Sequence, residues 1–380
     1  MGISRLQKGA GFFLAAVLAV TISPLAPAAA HGAESGTYAA ATAAAINEAP
    51  LAYKTQTVKK TYGARFTNKL TVNTDGAIKY SSSNKKIATV DSTGKVTAKG
   101  VGTVTITAKA AKTSQQAAGS ASYKLVVSPR AVALKSLKAT KSGFKATWAK
   151  GSKADIAGYQ VKYSKFRDLS SAKTKKVSGA SATTATLKRF SGPANCFAQV
   201  RTYAKGKDGK TYYSAWSKKK IVIGALNSGD KTLDANVKAL IKRFGTGDGA
   251  LKKAFDYMVA QPYKSTTMNP KGRWTLSAAK KMYKNKAGNC YEKAALLGWV
   301  AKGLGYNADA VAGKLVNISS SGVVKSQNPH GWVEVRWNGK RLICDPDTTK
   351  TLKNSGVKEL RGCSTYLYLV QDGKPYTYKR

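Results

Sequence analysis

Apolar and polar residues alternate along the first part of the chain, and their spacing changes near residue 225. Over residues 55–129 and again over 131–224, apolar residues recur at every second position in short runs bounded by Gly, Asn, Asp or Ser. Such runs are typical of strands with one buried face. The pattern therefore predicts two all-β sandwich domains in succession.

Beyond residue 229, apolar residues follow one another at steps of three and four, which predicts helices. LDANVKALIKRF, GALKKAFDYMVAQ and TLSAAKKMYKN are three such segments, and a fourth helix opens at Cys290. Strand-like runs follow in ADAVAGKLV, HGWVEVRW, KRLICDPD and CSTYLYLV. Helices followed by antiparallel strands predict an α+β domain over 229–380. The expected fold class is multidomain, with two sandwiches ahead of this domain.

The first 30 residues have the pattern of a secretory signal peptide. Arg5 and Lys8 form a basic start, GFFLAAVLAV is a short apolar core, and PLAPAAA supplies small residues for cleavage near Ala30. An Ala-rich linker over 31–54 follows. We expect a protein that is secreted or displayed on a bacterial cell surface, with membrane contact only if the signal segment stays uncleaved.

The formal net charge is +46, and only seven of the 18 acidic residues lie between residues 31 and 228. Outside a cell such a surface attracts polyanions, and anionic cell-wall polymers are the partners expected first. A lysine-rich surface that merely keeps the protein soluble is the alternative. Nucleic acid is not expected, because no basic helix, zinc motif or RNA-binding strand signature accompanies the charge.

Four cysteines are too few for a disulfide scaffold. Cys196 occupies an inward-facing position of a predicted strand, which favours a buried apolar thiol. A disulfide between Cys344 and Cys363 is an open alternative to two unpaired thiols. The cysteine spacings do not match paired zinc ligands, and no D-x-D-x-D-G calcium loop exists, so neither a metal nor a cofactor is expected.

Cys290, His330 and Asp345 form the candidate catalytic set. A thiol at a helix N-terminus lies near partial positive charge, which favours the thiolate needed for nucleophilic attack. His330, expected at the start of one strand, and Asp345, at the end of the next, would meet at one end of the sheet through the Asn338–Gly339 turn. The imidazole would serve as base and acid, and the carboxylate would fix its tautomer.

Three stretches also resemble known families. SSSNKKIATVDSTGKVTAKGVGTVTITAKA resembles the bacterial group 2 immunoglobulin-like domain, and the module over 131–224, with Trp148 and YSAWS, resembles a fibronectin type III domain. GNCYEKAALLGWVAKGLGYNADAVAG, followed by HGWVEVRWNGKRLICDPD, resembles the core of a bacterial transglutaminase-like domain, a papain-like fold. That resemblance implies the same nucleophile, base and carboxylate. The chain departs from the family pattern at Asp347 and Asp309.

These observations predict an exported cysteine-dependent acyl-transfer enzyme acting on protein or peptide amides through a thioester that an amine or water resolves. Transferase, protease and deamidase require the same three residues, so the sequence leaves them open. The competing interpretation is a non-catalytic surface or wall-binding adhesion protein with a degenerate transglutaminase-like fold. In that interpretation Cys290 is inert or oxidised.

Overall fold

The computed structural model describes residues 47–48, 51–192, 194–318, 324–354, 359–360, 363–364, 370–371 and 377–379. All of these belong to one packed unit, Ile46–Arg380. The signal peptide predicted over 1–30 and most of the predicted linker lie outside them. None of the described helices has both the length and the apolar character that crossing a bilayer requires.

The first β domain is a sandwich of two sheets with small additional ladders. A four-stranded sheet in the order β3-β11-β9-β6 faces a three-stranded sheet in the order β4-β8-β7. A hairpin joins β7 and β8, with Gly94 at φ 79° in its turn. The described strands are β1 (Asn47–Glu48), β2 (Leu51–Tyr53), β3 (Thr57–Thr61), β4 (Arg65–Thr67), β5 (Leu70–Val72), β6 (Ile78–Ser82), β7 (Ala88–Val90), β8 (Lys95–Ala98), β9 (Gly102–Ala110), β10 (Gln116–Ala117) and β11 (Gly119–Ser128).

Tyr53 shows that this domain begins within the segment expected to be linker. Strand β2 pairs with β5, and Tyr53 is buried edge-on against Tyr123, with ring centroids 4.6 Å apart.

The second β domain is also a two-sheet sandwich. Its sheets have the orders β12-β13-β16 and β15-β14-β17-β18, with β19 pairing on β17. Trp148 and Tyr159 lie in its core with Cys196, which is fully buried as predicted. Burial raises the pKa of the Cys196 thiol to about 12, so this cysteine is a packing residue. The strands are β12 (Leu134–Thr140), β13 (Gly143–Trp148), β14 (Gly158–Ser164), β15 (Lys173–Ser178), β16 (Thr184–Lys188), β17 (Cys196–Lys205), β18 (Thr211–Tyr213) and β19 (Lys220–Val222).

The third domain packs helices against an antiparallel sheet in the order β25-β22-β21-β20-β26. The four helices predicted from apolar spacing are all present. The elements are α1 (Lys231–Phe244), α2 (Ala250–Ala260), α3 (Trp274–Asn285), α4 (Cys290–Gly303), β20 (Asn307–Ile318), β21 (Val324–Trp337), β22 (Lys340–Cys344), α5 (Pro346–Asn354), β23 (Glu359–Leu360), β24 (Cys363–Ser364), β25 (Val370–Gln371) and β26 (Thr377–Lys379).

Helix α4 is the centre of this domain. Most of its residues are buried, because α1, α2 and α3 cover one side and the sheet covers the other. Leu297 and Val300 pack in the same core as Val333 and Val335 of β21. Contacts on nearly every face hold this helix in place, so a side chain in its first turn has a well-defined position.

The second β domain packs against the carboxyl end of α4. Arg167, 1% exposed, donates from Nε to the carbonyl of Leu304 (3.2 Å), and its backbone N–H donates to Gly305 O (2.8 Å). Asn195 Nδ2 donates to the carbonyl of Gly303 (3.2 Å). Carbonyls at a helix end lack partners within the helix, so this neighbouring domain satisfies them.

Candidate active site

Cys290 is the first residue of α4, and a capping box fixes where the helix begins. The side chain of Asn289 accepts from the N–H of Glu292 (3.0 Å), and the Glu292 carboxylate accepts from the N–H of Asn289 (3.2 Å). Asn289 also donates to the carbonyl of Thr266 (3.1 Å), which ties the cap to a neighbouring loop. The Cys290 thiol is unpaired and 7% exposed.

His330 reaches Cys290 because β21 runs close to the first turn of α4. A Cβ on Gly331 would lie 2.8 Å from the Cα of Tyr291, so only glycine fits between strand and helix here. A side-chain hydrogen bond joins His330 to Cys290. His330 was expected at the start of its strand, but β21 begins at Val324, so His330 lies inside the strand opposite Gly313.

Asp345 holds the far side of the imidazole. Its Oδ2 lies 2.8 Å from His330 Nε2, which leaves Nδ1 as the ring nitrogen that faces the sulfur. Its Oδ1 accepts from the backbone N–H groups of Asp347 and Thr348, both at 3.1 Å, so the carboxylate also caps the first turn of α5. Asp345 is fully buried.

The electrostatics of the pair follow from this geometry. Burial alone lowers the pKa of His330, but the Asp345 charge and hydrogen bond, with a further contribution from Cys290, raise it well above 6.5. Burial alone raises the pKa of Asp345, but the imidazolium and the donors from Thr348 leave it below 3.8. The site therefore favours an imidazolium between an ionised carboxylate and the sulfur.

A second carboxylate, Asp347, lies beside the same groups. Donor atoms of Cys290, His330 and Asp347 are all within 4.8 Å of one another, and these are donor types that zinc accepts. Asp347 Oδ1 is 2.9 Å from the Nζ of Lys293, a buried lysine one turn along α4. A metal would have to displace this ion pair as well as the Cys290–His330 hydrogen bond, so the arrangement fits proton transfer better. Of the two carboxylates, Asp345 is the one that hydrogen-bonds the imidazole directly.

Two tyrosines, Tyr263 and Tyr291, lie close enough to Cys290 to interact with it electrostatically. Backbone hydrogen bonds of Gly288 with Pro262 (3.2 Å) and Lys264 (3.3 Å) hold Tyr263 beside the start of α4, where it is 56% exposed. Trp274 meets Tyr291 edge-on, with ring centroids 5.9 Å apart.

The structure thus brings together all three residues selected from the sequence. Sequence reasoning missed four neighbours of the triad: Asn289, Lys293, Thr348 and Tyr378. It also missed α5, although Asp345-Pro346 has the N-cap and N1 residues of a helix start. Residues 324–329, directly before His330, belong to β21, and residues 319–323 lie outside the described ranges. The side chain of Cys363 also lies outside the described ranges, so the Cys344–Cys363 disulfide stays an untested alternative.

Two protein-family models match parts of the chain. Residues 67–112 match "Intimin, immunoglobulin-like domain". Residues 256–348 match "N-acetyltransferase", a range that contains Cys290, His330 and Asp345. No curated protein sequence matches the chain significantly.

Solved structures overlap the chain at low similarity. The FN1–FN3 domains of chicken CNTN1 share 13% identity over 47% of this chain and 66% of that one, with a TM-score of 0.22. A proposed cysteine protease from Cytophaga hutchinsonii shares 12% identity over 57% of this chain and 70% of that one, with a TM-score of 0.23. Fibronectin(III)-like modules of Clostridium thermocellum CbhA share 17% identity over 46% of this chain and 92% of that one, with a TM-score of 0.21. The chain spans just under two thirds of the CNTN1 fragment. Scores this low carry no argument about function.

Strand pairing and the family matches define an immunoglobulin-like domain, a second two-sheet β-sandwich and an α+β domain. The α+β domain is of the cysteine-dependent acyl-transfer class, with a buried Cys–His–Asp arrangement.

Proposed function

We propose that this chain is an exported cysteine acyl-transfer enzyme that acts on protein or peptide amides near the bacterial envelope. The observation that carries the proposal is the hydrogen-bonded series Cys290–His330–Asp345 at the first turn of α4. Nucleophile, base and orienting carboxylate are in contact in the order that acyl transfer requires.

In the first half-reaction the Cys290 thiolate attacks the amide carbonyl carbon, and the carbonyl electron pair moves onto oxygen. The oxyanion then collapses, the C–N bond breaks, and the His330 imidazolium gives its proton to the departing nitrogen. Ammonia leaves from a glutamine side chain, or an amine leaves from a peptide bond. A thioester on Cys290 remains.

In the second half-reaction the neutral His330 imidazole takes a proton from an incoming amine or water. That nucleophile attacks the thioester carbonyl, the C–S bond breaks, and the thiolate–imidazolium pair is restored. Asp345 keeps Nε2 protonated throughout, so Nδ1 does the proton transfer.

The developing oxyanion needs hydrogen-bond donors. The backbone N–H of Cys290 lies at the start of a helix, where such groups have no partner within the helix. Trp274, Tyr283 and Asn285, which precede Cys290 in the chain, are candidates for a second donor. Of these, Trp274 contacts Tyr291, the residue next to the nucleophile, whereas Asn285 is exposed at the end of α3.

Export and envelope association rest on the signal-peptide pattern, the immunoglobulin-like domain and the net charge of +46. The cationic sandwiches would hold the enzyme near anionic wall polymers.

The test is mass spectrometry of casein incubated with the mature protein and a labelled amine, with Cys290→Ala as control. A substrate mass gain equal to the amine minus ammonia, lost in the control, identifies a crosslinking transferase. Cleaved or deamidated casein, also lost in the control, identifies the water-resolved reaction. No difference from the control with a reduced Cys290 would favour the non-catalytic adhesion protein.

The N-acetyltransferase match over 256–348 supports a second candidate, in which an activated acyl thioester loads Cys290 and an amine accepts the acyl group. Acetyl-coenzyme A with an arylamine acceptor, run beside the casein assay, distinguishes the two. Acetylated arylamine without casein modification would replace the amide proposal.

A further inference from the structure

The Asp345 carboxylate has a fourth donor that lies far along the chain. The hydroxyl of Tyr378 donates to Asp345 Oδ2 at 2.9 Å, and His330 Nε2 contacts the same oxygen at 2.8 Å. The other oxygen accepts the two backbone N–H groups at the start of α5. Each carboxylate oxygen thus has two hydrogen-bond donors, which suits a charge with no access to water.

The fold presents this hydroxyl through the edge strand β26. Leu315 of β20 pairs with Tyr378, whose side chain is buried with its ring against Trp332 at 5.0 Å. Gly313, opposite His330, allows the approach: a Cβ there would lie 2.1 Å from the carbonyl of Lys379. The strand that carries Tyr378 and the strand that carries His330 therefore flank the same glycine.

We infer that Tyr378 is a positioning residue of the site: its hydroxyl shares Asp345 Oδ2 with the imidazole and sets the strength of the Asp345–His330 hydrogen bond. The inference rests on the proposed roles of Cys290, His330 and Asp345. A neutral donor stabilises the carboxylate charge and makes the oxygen a weaker acceptor for the imidazolium. Tyr378 thereby moderates how tightly His330 holds its proton, which His330 must release to the leaving group.

Five described groups besides Tyr378 bear on the imidazole. Asp345 from the end of β22, Cys290 from α4 and the Thr348 hydroxyl of α5, 3.2 Å from Nε2, contact it directly. Asp347 of α5 lies nearby, paired with Lys293 of α4. Tyr378→Phe leaves the direct partners and the ion pair in place and removes only the hydroxyl. A change in His330 titration in this variant is therefore assignable to the lost donor.

The test is an NMR titration of the His330 ring in the full-length mature protein, which needs no substrate. Tyr378→Phe should raise the pKa of His330 by about 0.5, because the freed carboxylate oxygen holds the imidazolium more tightly. Site-specific 3-fluorotyrosine at position 378, a stronger donor, should lower that pKa. Tyr306→Phe is the control, because it removes a hydroxyl from another buried tyrosine of this domain, one that packs against Trp337 and Arg167. This variant should leave the pKa of His330 unchanged.

With the casein substrate, Tyr378→Phe should lower kcat about 2- to 3-fold with little change in KM, since a rise of about 0.5 in the pKa of His330 slows proton release by no more than that factor and leaves the approach to Cys290 intact. An unchanged His330 titration in both the Phe and the fluorotyrosine proteins would overturn the inference. If the wild-type protein has no activity, the amide proposal fails, and the titration still decides the role of Tyr378.

Discussion

At the residue scale, a single glycine decides whether the base reaches the nucleophile. Gly331 follows His330 and lies against the backbone of Tyr291, which follows Cys290. Strand and helix touch where the two catalytic residues meet, so a larger residue would separate them.

Gly331→Ala should therefore lower kcat about 100-fold, the loss typical of a displacement of about 1 Å. Gly247→Ala is the matched control, since a Cβ there meets nothing within 4 Å. Steady-state kinetics with thermal unfolding as a folding check makes the comparison. Equal activity of the two variants would show that the close approach is unimportant.

The His330–Asp345 pair should also make stability depend on pH. The raised pKa of His330 means that its contribution is complete below 6.5 and is lost as pH rises through the folded value. The lowered pKa of Asp345 means that its contribution is complete above 3.8 and is lost as pH falls through the folded value. The pair should stabilise the fold most between pH 3.8 and 6.5.

Urea unfolding of the wild type and His330→Gln across pH 3 to 9 measures this dependence. The difference in unfolding free energy between the two proteins should be largest inside the window and shrink on both sides. A difference that does not vary with pH would contradict the ionised pair.

The sequence could predict which residues supply the reactive groups of the site. Cys290, His330 and Asp345 carry reactive groups in blocks with a recognisable order. Tyr378 carries no such signal, because its contact with Asp345 depends on the pairing of an edge strand across 33 positions of chain. Nothing local to Tyr378 distinguishes it from the many other tyrosines of the chain.

At the element scale, the start of α4 is the feature that matters most. Asn289 accepts the hydrogen bond that ends the loop and begins the helix, so it sets the position of the Cys290 sulfur. Asn289→Ala should lower the free energy of unfolding by about 1 to 2 kcal/mol, and Asn289→Ser should recover much of the loss, since serine also caps.

Chemical denaturation and the rate of Cys290 alkylation by iodoacetamide measure the two consequences together. Both stability and alkylation should follow the order wild type, Ser, Ala. If Asn289→Ala matches the wild type in both, the capping box does not position the nucleophile.

The elements themselves were predictable to different degrees. Helices α1 to α3 are predictable because each repeats apolar residues along one face for 11 or more residues, and α4 is predictable because apolar residues at steps of three and four fill nearly all of its faces. Helix α5, PDTTKTLKN, is only nine residues long and has few apolar residues, so the Asp345-Pro346 start is the stronger signal. Strand β21 starts earlier than expected because the polar run before His330 pairs with β20 through backbone hydrogen bonds.

At the scale of the whole molecule, the second β domain makes direct contact with the α+β domain. Arg167 extends from the second β domain to the carboxyl end of α4, bonding Leu304 O, Thr246 O and the carboxylate of Asp248. Its guanidinium also lies over the ring of Tyr306, 5.4 Å from the centroid. A sequence pattern could not show this contact, because each domain has its own hydrophobic core and the contact joins their surfaces.

Arg167→Ala in the full-length protein should lower the free energy of unfolding by about 3 kcal/mol, because buried charged hydrogen bonds and helix-end carbonyls lose their partner. Arg189→Ala, which removes an exposed arginine of the same domain, should change stability by less than about 0.5 kcal/mol. Urea unfolding followed by tryptophan fluorescence compares them. Similar small losses in both would leave the two domains as independent units.

The most direct measurement is peptide mapping by mass spectrometry after brief exposure of the mature protein to an activated acyl ester. The thiolate should take the acyl group before solvent does, giving one thioester on Cys290 that hydroxylamine removes and that His330→Ala forms far more slowly. An unmodified, reduced Cys290 in the wild-type protein, or equal acylation in His330→Ala, would contradict a nucleophile activated by its histidine.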